Sequence, residues 1–364
     1  MTQRPPAAVG QRIEEVDTPA LILDLDAFEK NVDTLAKAVA GRARVRAHAK
    51  THKCPQIARR QMAAGAIGVC CQKVSEAEAL VEGGVHDVLV SNEVVGATKI
   101  ARLAALSQRA RLGVCVDNLD NLRQIAATGA RLDVYIELEV GMGRCGIAPG
   151  EPALVLAREI ARAPSLRFGG LQAYHGRAQH VRSLAERRAC IAHAADAVRA
   201  TKALFMQHGI ETPIVTGAGS GTFMFEVESG AWDEIQPGSY IFMDVDYARN
   251  EWAEPLPRFE HALFILATVM SRPSPGAAIV DAGLKASSVD SGMPTVWAKD
   301  GLRYTKASDE HGFIEGREPP ALGDKLLLVP GHCDPTVNLY DWYVCVRRGT
   351  VEELWPITAR GALY

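Results

Sequence analysis

The stretch RVRAHAKTHK, Arg44 to Lys53, is dense in basic side chains and reads as a strand. Strand alternation puts Arg46, His48 and Lys50 on one face and Val45, Ala47 and Ala49 on the other. Basic groups on the inner face of a barrel need a purpose to offset their burial, and the C-terminal strand end, where Lys50 falls, is the chemical end of a barrel. Crowding by Arg46, His48 and Lys53, together with partial burial, predicts a lowered lysine pKa and a nucleophilic amine suited to a Schiff base. An exposed basic strand end fits the same residues equally well.

Five further segments could do chemistry. TGAGSGT, Thr216 to Thr222, follows the strand PIV and offers backbone N–H groups unobstructed by side chains, the usual way to cradle a phosphate. It comes too late in the series, and lacks the acidic partner, to be a dinucleotide fingerprint. QPGSY, Gln236 to Tyr240, supplies a second turn in which Gly238 and Ser239 can donate. GMGRCG, Gly141 to Gly146, presents Arg144 on a Gly-rich loop, either a binding arginine or a solvated one on a structural turn. QAYHGRAQH holds Tyr174, His175 and His180 after another strand; a lone histidine is more often structural than catalytic, and two after a barrel strand raise the odds of acid–base work. In GHCDPTVNLYD, from Gly331, an extended backbone would point His332 and Asp334 the same way and Cys333 the other. An imidazole plus a carboxylate suits manganese or magnesium with water completing the sphere, and two ligands are too few for closed structural zinc. A hydrogen-bonded His–Asp pair accounts for the motif equally well.

These segments need a frame. Apolar, β-branched runs begin at Ala20, Arg44, Ala66, Asp87, Arg111, Asp133, Arg167, Pro213 and Glu234, with amphipathic helical spacers such as KNVDTLAKAVAGR between them. Strands alternating with helices imply parallel βαβ units. Nine candidates exceed an eightfold barrel by one, so either the first run is not a barrel strand or another is false. After about Glu254 the runs HALFILATVM, AAIVDAG, DKLLLVPG and DWYVCVRRG follow without long helical spacers, which predicts a mainly β domain. Pro255 and Pro257 mark the junction. The expected organisation is a (β/α)8 barrel over 20–255 and a β domain over 256–364 that includes part of 1–19.

Composition narrows the class. The 364 residues are 48% hydrophobic and 23% charged, as in compact globular proteins, which excludes wholesale disorder and fibrous repeats. A net charge of -3 without a basic block argues against a nucleic-acid partner. The longest apolar stretch, Ala262 to Met270, falls well short of the ~20 residues that span a bilayer, and the N-terminal segment lacks the apolar core of a signal peptide. The expected place is the cytoplasm. The 8 cysteines form no C-x-x-C and are expected as reduced thiols.

HAKTHK, GMGRCG, TGAGSGT, QPGSY and the late GHCDPTVNLYD, in that order, resemble the alanine-racemase-fold pyridoxal-phosphate enzymes. More narrowly, they are similar to the metal-dependent D-threonine aldolase and D-serine dehydratase branch. The resemblance implies a (β/α)8 barrel of TIM type followed by a β domain that takes in the early strand, and a homodimer with its active sites near the interface. It implies that Lys50 links covalently to pyridoxal 5'-phosphate and that Arg144 meets the phenolic oxygen. Gly219, Ser220, Gly238 and Ser239, with Thr216 and Tyr240, would hold the phosphate, and His332 and Asp334 a divalent metal. Racemases carry an arginine facing the pyridine nitrogen where this chain has Gln236, which argues against racemisation and leaves Tyr174 as that nitrogen's neighbour. Dehydratases of the branch show His-x-Cys and its aldolases His-x-Asp, so the implied activity is retro-aldol cleavage of D-3-hydroxy amino acids to glycine and an aldehyde. His180, directly or through a metal-bound water, is the expected base and His175 the alternative. A dehydratase acting on D-serine or D-threo-3-hydroxyaspartate, and a non-catalytic pyridoxal-phosphate carrier, are the rival readings.

Overall fold

A computed structural model describes residues 3–364. Nine strands precede residue 240: β1 (Ala20–Asp24), β2 (Arg44–His48), β3 (Gly68–Cys71), β4 (Asp87–Glu93), β5 (Arg111–Val116), β6 (Leu132–Glu137), β7 (Leu166–Ala173), β8 (Val215–Gly217) and β9 (Glu234–Ile235). Strands β2 to β9 close into a parallel barrel, with β9 pairing both β8 and β2 through Thr216↔Glu234 and Arg44↔Glu234. Helices such as Leu25–Val39, Glu151–Arg162 and Leu184–Gln207 fill the spacers. This is the TIM-type architecture read from the alternation.

The surplus strand is β1. It pairs antiparallel with β10 (Leu263–Ser274) and parallel with β16 (Trp342–Arg347), so the barrel strands begin at Arg44 and not at residue 20. Leu21 and Leu23 face one apolar layer while Ala20 and Ile22 face another. A strand buried on both faces is a continuous apolar run in either sheet, which is why its pattern could not assign it. The remaining strands are β11 (Ala277–Val280), β12 (Thr295–Val296), β13 (Arg303–Ala307), β14 (Gly312–Glu315), β15 (Lys325–Val329) and β17 (Thr350–Pro356). They complete a nine-stranded sheet in the order β13-β14-β11-β10-β1-β16-β17, with β15 on β10 and β12 on β15.

The barrel interior is filled rather than hollow. Arg46, 3% exposed, donates to Glu234 Oε1 at 2.9 Å and Asp87 Oδ1 at 2.6 Å, which neutralises it in place. Above it Cys70, Leu89, Cys115 and Tyr135 form a small apolar layer. A Cβ on Gly169 would stand 2.7 Å from the Tyr135 ring, so glycine makes room for it. None of the eight cysteines is in a disulfide, and among the described residues no helix is long and apolar enough to cross a membrane.

Candidate active site

A cavity of about 290 Å³ opens at the C-terminal ends of the barrel strands. Every barrel strand except β5 contributes to its lining, directly or through the loop that follows it. Lys50, two residues past β2, lies at this end, and its ammonium donates to a carboxylate oxygen of Asp334, 284 residues later. Burial works against the charged amine, but Asp334 outweighs it and the Lys50 pKa is raised above the usual lysine value. Asp334 is correspondingly held well below the usual carboxylate range, burial being overcome by Lys50. The lowering expected from sequence is therefore reversed in this state. Arg46 has its own acids, Lys53 pairs with Glu76, and the decisive carboxylate comes from a segment that strand alternation could not reveal.

The GHCD motif reaches the barrel mouth through backbone contacts. Gly331 packs so closely on Gly292 O that a Cβ would sit 2.0 Å from it. The N–H groups of Val245 and Asp246 donate to Pro330 O and Gly331 O at 3.1 and 3.2 Å, and that of Cys333 to Asp244 Oδ2 at 2.9 Å. A short helix, Cys333–Val337, begins here, so Asp334 is helical and not part of an extended run. The expected same-face alternation of His332 and Asp334 does not apply. His332 Nδ1 meets Asp290 Oδ2 at 2.8 Å, and Asp334 also accepts from Ser239 Oγ at 3.3 Å. Among the described residues no group of three or more His, Cys, Asp or Glu side chains is arranged to hold a metal ion.

The two Gly-rich turns face the cavity together through Gly219, Ser220, Gly238 and Ser239. Among the described residues no protein acceptor takes the backbone N–H of any of these four. Ser220 Oγ accepts from Tyr240 N at 3.0 Å, which ties one turn to the other. Clustered free amides of this kind suit an anion. Two residues expected with them are elsewhere. Thr216, fully buried inside the barrel, donates to Glu234 Oε1 and accepts from Gln236 Nε2, both at 2.8 Å. The Tyr240 hydroxyl lies in the apolar core accepting from Gln61, so its ring does not line the cavity.

Behind the first turn, Glu226 is 1% exposed and accepts from Thr222 Oγ1 at 2.7 Å, with its Oε2 unpartnered. Burial pushes its carboxyl up to about 8. The folded state thus keeps a proton that the unfolded chain releases from about pH 4.5, so this group's effect on stability worsens as pH rises from about 4.5 to about 8. Glu226→Gln is expected to stabilise the protein by about 1–3 kcal/mol at pH 8.5 and by nothing measurable at about pH 5. Urea unfolding at the two pH values reads the difference; equal effects at both would refute it.

Gln236 lies at the cavity floor in a reciprocal amide pair with Gln172, at 2.8 and 3.2 Å. Arg144 stands 3.7 Å from Glu137 and over the Tyr174 ring at 5.6 Å. His180 lines the cavity, its Nδ1 2.5 Å from Asp246 Oδ2 and its ring against Tyr247, with centroids 5.3 Å apart. Arg182 also donates to Asp246 and holds it in place. His175 is outside the lining: a Cβ on Gly141 would stand 2.3 Å from its Nε2, so it packs on the GMGRCG loop. Asp246, Tyr247, Gln172, and the His48–Gln72 contact at 3.0 Å were missed from sequence. Only FMDVDY, with two acids beside a tyrosine after the QPGSY turn, carried a readable signal.

Residues 23–246 match the family model of the alanine racemase N-terminal domain. The chain belongs to that family. Residues 262–346 further match a putative serine dehydratase domain, so both parts of the chain have relatives in order. A D-threonine aldolase from Arthrobacter sp is 48% identical, the alignment covering 98% of this chain and 96% of that one. A 3-hydroxy-D-aspartate aldolase from Paracoccus denitrificans is 46% identical over 99% of this chain and 96% of that one. The crystal structure of D-threonine aldolase from Filomicrobium marinum superposes with a TM-score of 0.97 at 52% identity, covering 99% of this chain and 100% of that one.

Proposed function

We propose that this protein is a pyridoxal-phosphate- and divalent-metal-dependent aldolase that cleaves D-threonine, D-allo-threonine and related D-3-hydroxy amino acids to glycine and an aldehyde. The observation that carries the reading is the contact of Lys50, which lines the cavity, with Asp334 of the motif that follows β15, a link between the barrel lysine and a carboxylate of the second sheet. The four unpaired amides of Gly219, Ser220, Gly238 and Ser239 fit the cofactor's phosphate, Arg144 fits its phenolic oxygen, and Lys50 supplies the amine for attachment. His332 and Asp334 offer one nitrogen and one carboxylate donor, a set that suits manganese or magnesium. When bound, the cofactor supplies an electron sink for the pair released from the Cα–Cβ bond, and the ion a Lewis acid for the β-hydroxyl.

The chain's own part is proton transfer and orientation. His180, with Nδ1 held by Asp246, turns its other nitrogen to the substrate and removes the β-hydroxyl proton as Cα–Cβ breaks. The aldehyde leaves, a proton is returned to Cα, and glycine is released. The Gln172–Gln236 pair puts a neutral amide at the floor, in keeping with cleavage rather than racemisation. The active form in this reading is a cytoplasmic homodimer.

Reaction requires the scissile bond perpendicular to the cofactor ring while the hydroxyl and carboxylate keep their own contacts. Three anchors on Cα select one hand. D-threonine is expected to yield acetaldehyde at least about 10³-fold faster than L-threonine, whereas D-threonine and D-allo-threonine differ by only about 1–3 kcal/mol. An assay of D- and L-threonine, D-serine and 3-hydroxy-D-aspartate, with and without chelator, tests this. Ammonia in place of an aldehyde would establish a dehydratase, and equal rates on both enantiomers would overturn the reading.

A further inference from the structure

Glu93 ends β4, Glu137 ends β6 and Asp117 follows β5, so three neighbouring strands set three carboxyl groups side by side near Arg144. Asp117 is provided for, because its Oδ2 accepts the Gly146 N–H at 3.0 Å and so fastens the GMGRCG loop. The other two acids are not. Both carboxyl oxygens of Glu93 and the Oε2 of Glu137 are buried without a donor, and Glu137 is only 4% exposed. Glu137 Oε1 is 3.7 Å from an Arg144 nitrogen.

Two ionised carboxylates packed together in such a place repel each other and leave acceptors unpaired. One proton between them removes the repulsion and occupies two of the three unpaired oxygens, since a protonated carboxyl donates to its ionised neighbour. Burial first, and Glu93 second, push the Glu137 carboxyl up to about 8, and burial and then Asp117 raise that of Glu93. The groups around the pair are Arg144, Asp117 and Cys145, whose thiol is pushed up to about 11 by burial and then Glu93 and therefore adds no charge. The pair then presents one negative charge to the Arg144 guanidinium, which also has the Tyr174 ring against it.

We propose that Glu93 and Glu137 hold one proton between them and act as a monoanionic pair that positions Arg144 toward the phenolic oxygen of the cofactor. The role rests on the pyridoxal-phosphate reading, whereas the shared proton does not. Both acids are positioning residues, acting through Arg144.

Infrared difference spectra of the whole protein at neutral pH test the proton. The wild type should show a deuterium-sensitive protonated-carboxyl band that is absent in Glu93→Gln, and Glu226 cancels in the difference. Identical spectra would overturn the proposal. Cofactor release from the loaded protein, followed by visible absorbance on dilution, tests the positioning. Glu93→Ala should weaken retention by about tenfold, and Glu93→Gln, whose amide donates where the acid donated, should restore most of it. Equal losses in the two variants would reduce the pair to ordinary packing and overturn the positioning role. If Glu93→Ala does not fold, the infrared comparison still decides the shared proton, since it needs only Glu93→Gln. Wild-type protein that takes up no pyridoxal phosphate would refute the functional reading and with it the role of Arg144, while the infrared band continues to decide the pair.

Discussion

Lys50→Ala is expected to abolish turnover and the visible absorbance of bound cofactor together. Loss of the attaching amine removes the covalent link on which the cofactor's chemistry depends, and a fall of more than about 10⁴-fold in rate, about 5 kcal/mol, is expected. Lys50→Arg makes the sharper test. An arginine keeps a cation against Asp334, so the ion pair survives while the amine is lost. Both variants should be colourless and inactive, and cofactor retained through the phosphate amides alone should wash away more readily. Borohydride reduction followed by peptide mapping checks the site, and a label on any other lysine would defeat the assignment.

Removal of the divalent ion is expected to have the second largest effect. Chelation should lower aldehyde release by more than about 10³-fold, and added manganese should restore it. The colour should persist, because His332 and Asp334 are proposed to serve the substrate hydroxyl while the four free amides and Lys50 keep the cofactor. His332→Ala is the cleaner variant. Its imidazole meets Asp290 and Ser291, whereas Asp334 also touches Lys50 and Ser239, so an Asp334 change disturbs two sites at once. His332→Ala should remain yellow, inactive and unresponsive to metal. Full activity in the presence of chelator, or in His332→Ala, would refute the metal's role.

Much of the frame was legible because it is written in local periodicity. Alternating apolar strands and amphipathic helices require parallel units, and the glycines bunched after PIV and the Pro-Gly before SYIF mark tight turns wherever the chain goes. The order of HAKTHK, GMGRCG, TGAGSGT, QPGSY and GHCD carried the family likeness. The same periodicity misplaced β1, whose two apolar faces suit either sheet, and treated His332-Cys333-Asp334 as extended where a helix begins.

By itself, then, the sequence determined the alternating barrel pattern, the change to β texture after it, and the residue types available for amine, imidazole and carboxylate chemistry, since these depend on neighbours a few positions away. Only the tertiary structure decided which of them meet. It brought Asp334 to Lys50 and so raised a pKa expected to fall, put His180 and not His175 at the cavity, turned Thr216 and Tyr240 inward, and buried carboxyl oxygens of Glu93 and Glu137 without a donor. Electrostatic effects act through distance in space, and the distance between residues hundreds of positions apart is fixed by how two sheets and their helices pack, which no short-range pattern contains.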